Sequence, residues 1–233
     1  VYGGTQDNNT VGAPNQTTHR RGIKNSDWFI THGGDGFQTR VDPKDPNVLY
    51  SMSQYAGIVR YDRRSGEQID IQPQPKAGEP PYRWNWDAPL LISNHDNKTL
   101  YFAANKLFKS KDQGNSWDEI SPDLTRQLDR NKMEVMGRVW GIDAVFKNVW
   151  TSPLGSIVAL DESPVKAGLL IAGTDDGLIQ VSEDDGESWR KIEGISGVPA
   201  NAYLSDIHAS PHNENTIFAV FNYHKYGDYK PYF

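Results

Sequence analysis

Cysteine is absent from the 233 residues, so neither disulfides nor thiolate metal sites exist, and the compartment stays open because many exported bacterial proteins also lack it. No apolar run approaches the roughly 18–20 residues of a membrane-crossing helix, so membrane insertion of this segment is not expected. Basic residues are not in excess: 24 lysines and arginines face 30 acids, with the two signs interspersed. A net charge of −6 laid out this way lacks the electrostatic footprint of nucleic-acid binding. Long helical patterns are scarce as well. The 21 glycines and 14 prolines, with many Asn and Asp, favour short strands joined by tight turns, because these residues supply a positive or fixed φ and interrupt helices. The chain opens at Val1 with no signal sequence, as expected of a processed or trimmed product.

What is present is a repeat. "SKDQGNSW" at 110–117 and "SEDDGESW" at 182–189 share the template Ser, any, Asp, any, Gly, any, any, Trp. Each follows a short apolar strand, "KTLYFAAN" or "GLLIAGTD", and two further copies of that strand occur in "NVLYSMSQ" and "NTIFAVFN". The anchors Leu49, Leu100, Leu170 and Ile217 are separated by 51, 70 and 47 residues, a period near 50 with one insertion. Another apolar run ending in a turn precedes each anchor, so a unit reads strand, turn, strand, turn, strand, octapeptide.

Such a period, with several strands per unit, predicts an all-β fold: a β-propeller of four-stranded antiparallel blades, because a single blade cannot bury both of its faces. First strands contain Val41, Ile92, Leu160 and Ala209, second strands contain the anchors, and third strands contain Ile58, Leu107 and Ile179. About four blades are expected, at roughly 37–71, 88–120, 155–193 and 203–233. Residues 1–36 are assigned to a preceding blade and its connection, and 121–154 to an insertion. Both ends are expected to fall inside blades, as in a piece of a larger propeller. The insertion is expected to carry a short helix over 124–133, capped by Ser121 or Asp123.

Each octapeptide is read as the hairpin between third and fourth strands. Asp112 and Asp184 are expected to accept backbone N–H bonds across the turn from their neighbours, while Gly114 and Gly186 supply positive φ. Ser110 and Ser182 open the turns, and Trp117 and Trp189 pack inward. A calcium site or a catalytic acid in these boxes is the lesser reading, because the first blade replaces the template with "YDRRSGEQIDI".

These octapeptides resemble the Asp-box, or bacterial neuraminidase repeat. The wider wording, "TQDNN", "GGDGF", "RYDRRSGE", "YRWNWDAP", "ISPDLT" and "GTDDGLIQVSEDDGESW", is similar to secreted bacterial sortilin-like or glycosyl-hydrolase-like repeat proteins. The resemblance implies a secreted, periplasmic or cell-surface bacterial protein. It also implies relatives that bind peptides in a central tunnel or cleave xyloglucan with paired Asp. Where those hydrolases carry a catalytic Asp within a Tyr-Ala-Arg-Thr-Asp-x-Gly-Gly segment, this chain has Gln54, and an amide cannot act as general base. The Arg-Ile-Pro tripeptide of sialidases is absent, and no arginine triad is assignable.

Strand order puts the second-to-third turns and the between-blade connections on one rim, where a ligand is expected. Gln54, Asn105, Asp175 and Asn222 each stand five residues after their anchor. The expected ligand-binding residues are Tyr55, Arg83, Trp84, Trp86, Arg138, Trp140 and Tyr203, since flat rings stack on sugars or peptide side chains and arginine supplies polar contacts. The competing expectation is that these tryptophans wedge between blades. Asp35, Asp87 and Asp175 are the only carboxylates nominated for catalysis, which needs two of them about 5–10 Å apart. His32 in "THGGDG" has no second His at ligand spacing, so no metal and no cofactor is expected. The sequence therefore reads as a non-catalytic propeller that binds an extracellular glycan or a protein or peptide. A glycoside hydrolase and a structural subunit of a larger secreted assembly are the alternatives.

Overall fold

The computed structural model describes residues 1–145 and 154–233; residues 146–153 of the insertion lie outside the described residues. No α-helix occurs among them. The chain runs through antiparallel meanders. Strands β1 (Tyr2–Gly4), β2 (Thr10–Gly12) and β3 (Phe29–His32) form a three-stranded sheet. Strands β4 (Gly36–Val41), β5 (Val48–Ser53), β6 (Gly57–Asp62) and β7 (Gln68–Asp70) form a second sheet, and β8 (Leu90–Ile92), β9 (Leu100–Ala103), β10 (Leu107–Ser110) and β11 (Asp118–Glu119) a third. The hairpin β12 (Glu134–Val135) and β13 (Arg138–Val139) interrupts this pattern. It resumes with β14 (Ile157–Glu162), β15 (Leu170–Thr174), β16 (Ile179–Ser182) and β17 (Arg190–Ile192), then with β18 (Tyr203–Ala209), β19 (Ile217–Tyr223) and β20 (Asp228–Tyr232). The four anchors fall in four different sheets, each on a second strand, as the repeat requires.

Every hydrophobic cluster is shared between two successive sheets. Tyr50, Met52 and Ile58 pack against Leu90, Leu100 and Phe102; Tyr101, Ala103 and Leu107 against Ile157, Leu170 and Ala172; Ile171 and Val181 against Leu204, Ile207 and Phe221. Side chains alternate across a strand, so β9 sends Leu100 and Phe102 to the preceding sheet and Tyr101 and Ala103 to the following one. Both faces of a middle blade are thus buried, which is why β9, β10, β15 and β16 carry no exposed residue. This face-to-face stacking is a β-propeller of four-stranded blades.

The octapeptides act at the blade seams. Ser110 Oγ accepts the Gly114 N–H at 2.8 Å and donates to Asp112 Oδ1 at 2.8 Å, and that same oxygen accepts the Ser116 N–H at 2.9 Å. Ser182, Asp184, Gly186 and Ser188 repeat the pattern. Gly114 and Gly186 have φ of 88° and 95°, and a Cβ on them would lie 2.6 Å from Ile71 Cδ1 and 2.7 Å from the Ile120 carbonyl oxygen of the preceding blade. Glycine is therefore needed for contact as well as for conformation. The half-buried Trp117 and Trp189 donate their indole N–H to the carbonyls of Ile71 at 2.7 Å and Ile120 at 3.0 Å.

The expected helix over 124–133 does not form; one 3-10 turn, Arg130–Lys132, stands behind an Asp129 cap. A backbone carbonyl and two side chains from two blades hold the segment extended instead. The Leu124 N–H bonds the Asn105 carbonyl, its carbonyl accepts from Gln180 Nε2, and the Arg126 N–H bonds Asp176 Oδ2. The proposed caps serve elsewhere: Ser121 Oγ accepts the Leu107 N–H, and Asp123 Oδ1 the Thr125 N–H. Gln127, with φ of 53°, then turns the chain away from helical geometry.

Candidate functional site

The second-to-third turns share a tether. Gln54 Oε1 accepts the Asp35 N–H at 2.7 Å, Asn105 Oδ1 the Arg83 N–H at 2.9 Å, and Asp175 Oδ1 the N–H groups of Gly155 and Ser156 at 3.0 and 2.9 Å. In each case the residue five positions after the anchor catches the segment entering its own blade. Asn222 instead donates to Ser205 Oγ at 2.7 Å.

Inner strands β4, β8, β14 and β18 enclose a channel cavity of about 670 Å³. Arg40, Asp87, Asp161, Tyr203 and His208 line it. A second cavity of about 610 Å³ opens at the rim, among Asn85, Met133, Asp175, Tyr203, Asn222 and Lys225. Tyr203 belongs to both, so its half-buried ring marks the mouth of the channel. Burial and the charges of Asp175 and Asp87 push its hydroxyl pKa up to about 12, so the group stays a neutral donor.

The three nominated carboxylates differ in availability. Asp35 Oδ1 accepts the Asp7 N–H at 2.7 Å. Asp175 is 9% exposed, and its other oxygen takes the Ser156 hydroxyl at 3.0 Å. Burial pushes its pKa up to about 6 against these hydrogen bonds. Asp87 is half-buried, and its Oδ1 is enclosed without a hydrogen-bond partner. Burial raises its pKa, and the Arg40 charge opposes that. Asp161, which the sequence reading passed over, is raised by burial too, although Oδ2 accepts the Ala209 N–H at 2.8 Å.

Two of the expected ligand-binding residues make contacts within the architecture. The Arg83 guanidinium reaches the Gly155 carbonyl at 2.9 Å, Asp123 at 2.6 Å and Thr125 Oγ1 at 3.0 Å, so it staples consecutive blades. Trp84 stacks on Phe102 with centroids 4.9 Å apart and lies 5.6 Å from Phe108, as a packing wedge. Tyr55 and Trp86 meet edge to face at 4.5 Å, and Tyr55 holds a left-handed φ of 59° there. Arg138 lies 3.8 Å from the centre of the Trp140 ring, whose indole N–H donates to the carbonyl of Val135 on the β12–β13 hairpin; neither Arg138 nor Trp140 lines the two cavities. Of the expected set, Asp175 and Tyr203 line the rim cavity, and Asp87 and Tyr203 the channel. Missed by the sequence reading were Arg40 and His208 on inner strands, where alternate residues face the channel, and Lys225, in the 3-10 turn His224–Tyr226 between β19 and β20. No group of His, Cys, Asp and Glu suited to a metal ion occurs among the described residues, and no described helix is long and apolar enough to cross a membrane.

No protein-family model and no curated protein matches the chain. Solved structures do resemble it. The GH74 xyloglucanase from Xanthomonas campestris is 18% identical with a TM-score of 0.57, over 94% of this chain and 31% of that one. A GH74 enzyme from Niastella koreensis is 15% identical with a TM-score of 0.55, over 94% and 34%. An ancestral GH74 enzyme is 18% identical with a TM-score of 0.50, over 81% and 22%. At these identities the likeness is one of fold, and the chain spans about a fifth to a third of those structures.

Proposed function

We propose that this chain is part of an exported bacterial Asp-box propeller that binds an extracellular saccharide at the mouth of its channel without cleaving it. The observation that carries this reading is Tyr203: a half-buried aromatic ring where two cavities meet, with the Asp87 carboxylate lining the same channel. A sugar offers a C–H face to the ring and hydroxyl donors to the carboxylate. Against hydrolysis stands the engagement of Asp35 and Asp175 by backbone N–H groups, which leaves Asp87 without a free carboxylate partner among those nominated. A hydrolase reading draws on the raised pKa of Asp87, the property of a general acid. The remaining blades of a larger propeller are the expected neighbours of this segment in its parent chain.

A panel of plant and bacterial oligosaccharides, titrated against the wild-type chain and Tyr203→Ala, Tyr203→Phe and Asp87→Asn variants, tests the proposal. Binding by the wild type, retained in part by Tyr203→Phe and lost in Tyr203→Ala, is the expected result. Reducing ends released by the wild type and not by Asp87→Asn would establish the hydrolase instead, and a panel with no binder would refute the saccharide site.

A further inference from the structure

Resting on the saccharide reading, we propose that the rim cavity selects an acidic sugar, one bearing a carboxylate such as a uronic acid, and that Lys225 is the charge that meets it.

Exposure sorts the charges around this cavity. Asp175 and Asp176 are 9% and 1% exposed, and both are ringed by donors. Asp175 takes two backbone N–H groups and the Ser156 hydroxyl; Asp176 takes the Thr174 hydroxyl at 2.6 Å and the Arg126 N–H at 2.9 Å. Each oxygen of both carboxylates already accepts a hydrogen bond. Lys225 is exposed, has no acidic partner among the described residues, and holds its ammonium 5.2 Å from the centre of the Tyr203 ring. His224 is exposed beside it, and Arg130 lines the same cavity from the 3-10 turn. In a chain of net charge −6 this is a local reversal of sign on the surface a ligand first touches.

The sugar class follows from what surrounds the ammonium. Tyr203, Met133 and Val135 offer apolar contact of ring size, next to the Asn222 amide. A lysine ammonium on its flexible stem can follow a carboxylate through several sugar poses, and its charge-assisted hydrogen bond is about twice as strong as a neutral one. A neutral glucan would leave Lys225 without any role.

Isothermal titration with trigalacturonate, cellotriose and triglutamate as probes separates the outcomes, on the wild-type chain and on Lys225→Gln, at about 50 and about 300 mM salt. Trigalacturonate is expected to bind at least about tenfold more tightly than cellotriose, with that advantage shrinking in salt and in Lys225→Gln. Equal affinity for cellotriose and trigalacturonate overturns this inference and leaves the saccharide site standing. Binding of neither sugar overturns both. Triglutamate bound as tightly as trigalacturonate replaces the acidic sugar by an acidic peptide, and unchanged trigalacturonate affinity in Lys225→Gln removes the lysine from the site.

Discussion

Removing Asp185 should cost far more stability than removing its partner Lys109, although the two form one ion pair. Lys109 projects from the third blade strand β10 with 11% of its side chain exposed, whereas Asp185, in the octapeptide of the next blade, is 46% exposed. The ammonium lies 2.7 Å from Asp185 Oδ1, and the Tyr101 hydroxyl stands 3.2 Å from that same oxygen. Asp185→Ala strands a nearly buried cation and takes one acceptor from a buried phenol. Breaking a fully buried pair this way costs about 3–5 kcal/mol, and the half-exposed acid lowers the figure to about 2–3 kcal/mol. Lys109→Met leaves a carboxylate that water can solvate and that still accepts from Tyr101, at a cost of about 0–1 kcal/mol. The double variant should cost about 1 kcal/mol, so the coupling is about 2 kcal/mol. Urea titration followed by tryptophan fluorescence would show Asp185→Ala shifting the midpoint by roughly 1 M for a slope of about 2–3 kcal/mol per M. Equal single-variant losses, or additive ones, would refute the clasp.

Other consequences concern the seams and the rim. Trp189→Phe removes the bond to the Ile120 carbonyl while keeping most of the apolar area, so a loss of about 1–2 kcal/mol in denaturation is expected. Gly186→Ala should be worse, because its Cβ meets the preceding blade at 2.7 Å and its φ is 95°; a melting temperature equal to wild type would contradict the seam geometry. Asp175 has a folded pKa raised to about 6 from 3.8, so the folded state holds the proton more tightly than the unfolded one. Its contribution is favourable below the unfolded value, falls as pH rises from about 4 to about 6, and is level above. The change is at most about 3 kcal/mol, and Asp175→Asn should abolish it; denaturation midpoints of the two proteins at pH 4 and pH 7 check the difference.

The strands and blade order were legible because they rest on local chemistry: period-two apolar runs, Asp and Asn turns, and a template whose Ser, Asp and Gly form a hairpin within eight residues. The misread segment shows where that stops. Residues 124–133 have helical composition, yet Asn105, Asp176 and Gln180, brought close only by folding, bind the backbone groups that a helix would use itself. The packing contacts of Arg83 and Trp84 were not legible because their partners, Gly155, Asp123 and Phe102, lie on other blades or strands. Tyr203 was legible as an aromatic in a connection. Asp161 and His208 needed the knowledge that inner strands turn alternate residues toward the channel.

The most direct test of the binding mouth is a crystal of the chain soaked with an oligosaccharide that it binds. Density for a sugar ring against Tyr203, with a hydroxyl within hydrogen-bond reach of the Asp87 carboxylate, is the predicted result; a sugar seated anywhere else, with the mouth holding only water, would contradict it.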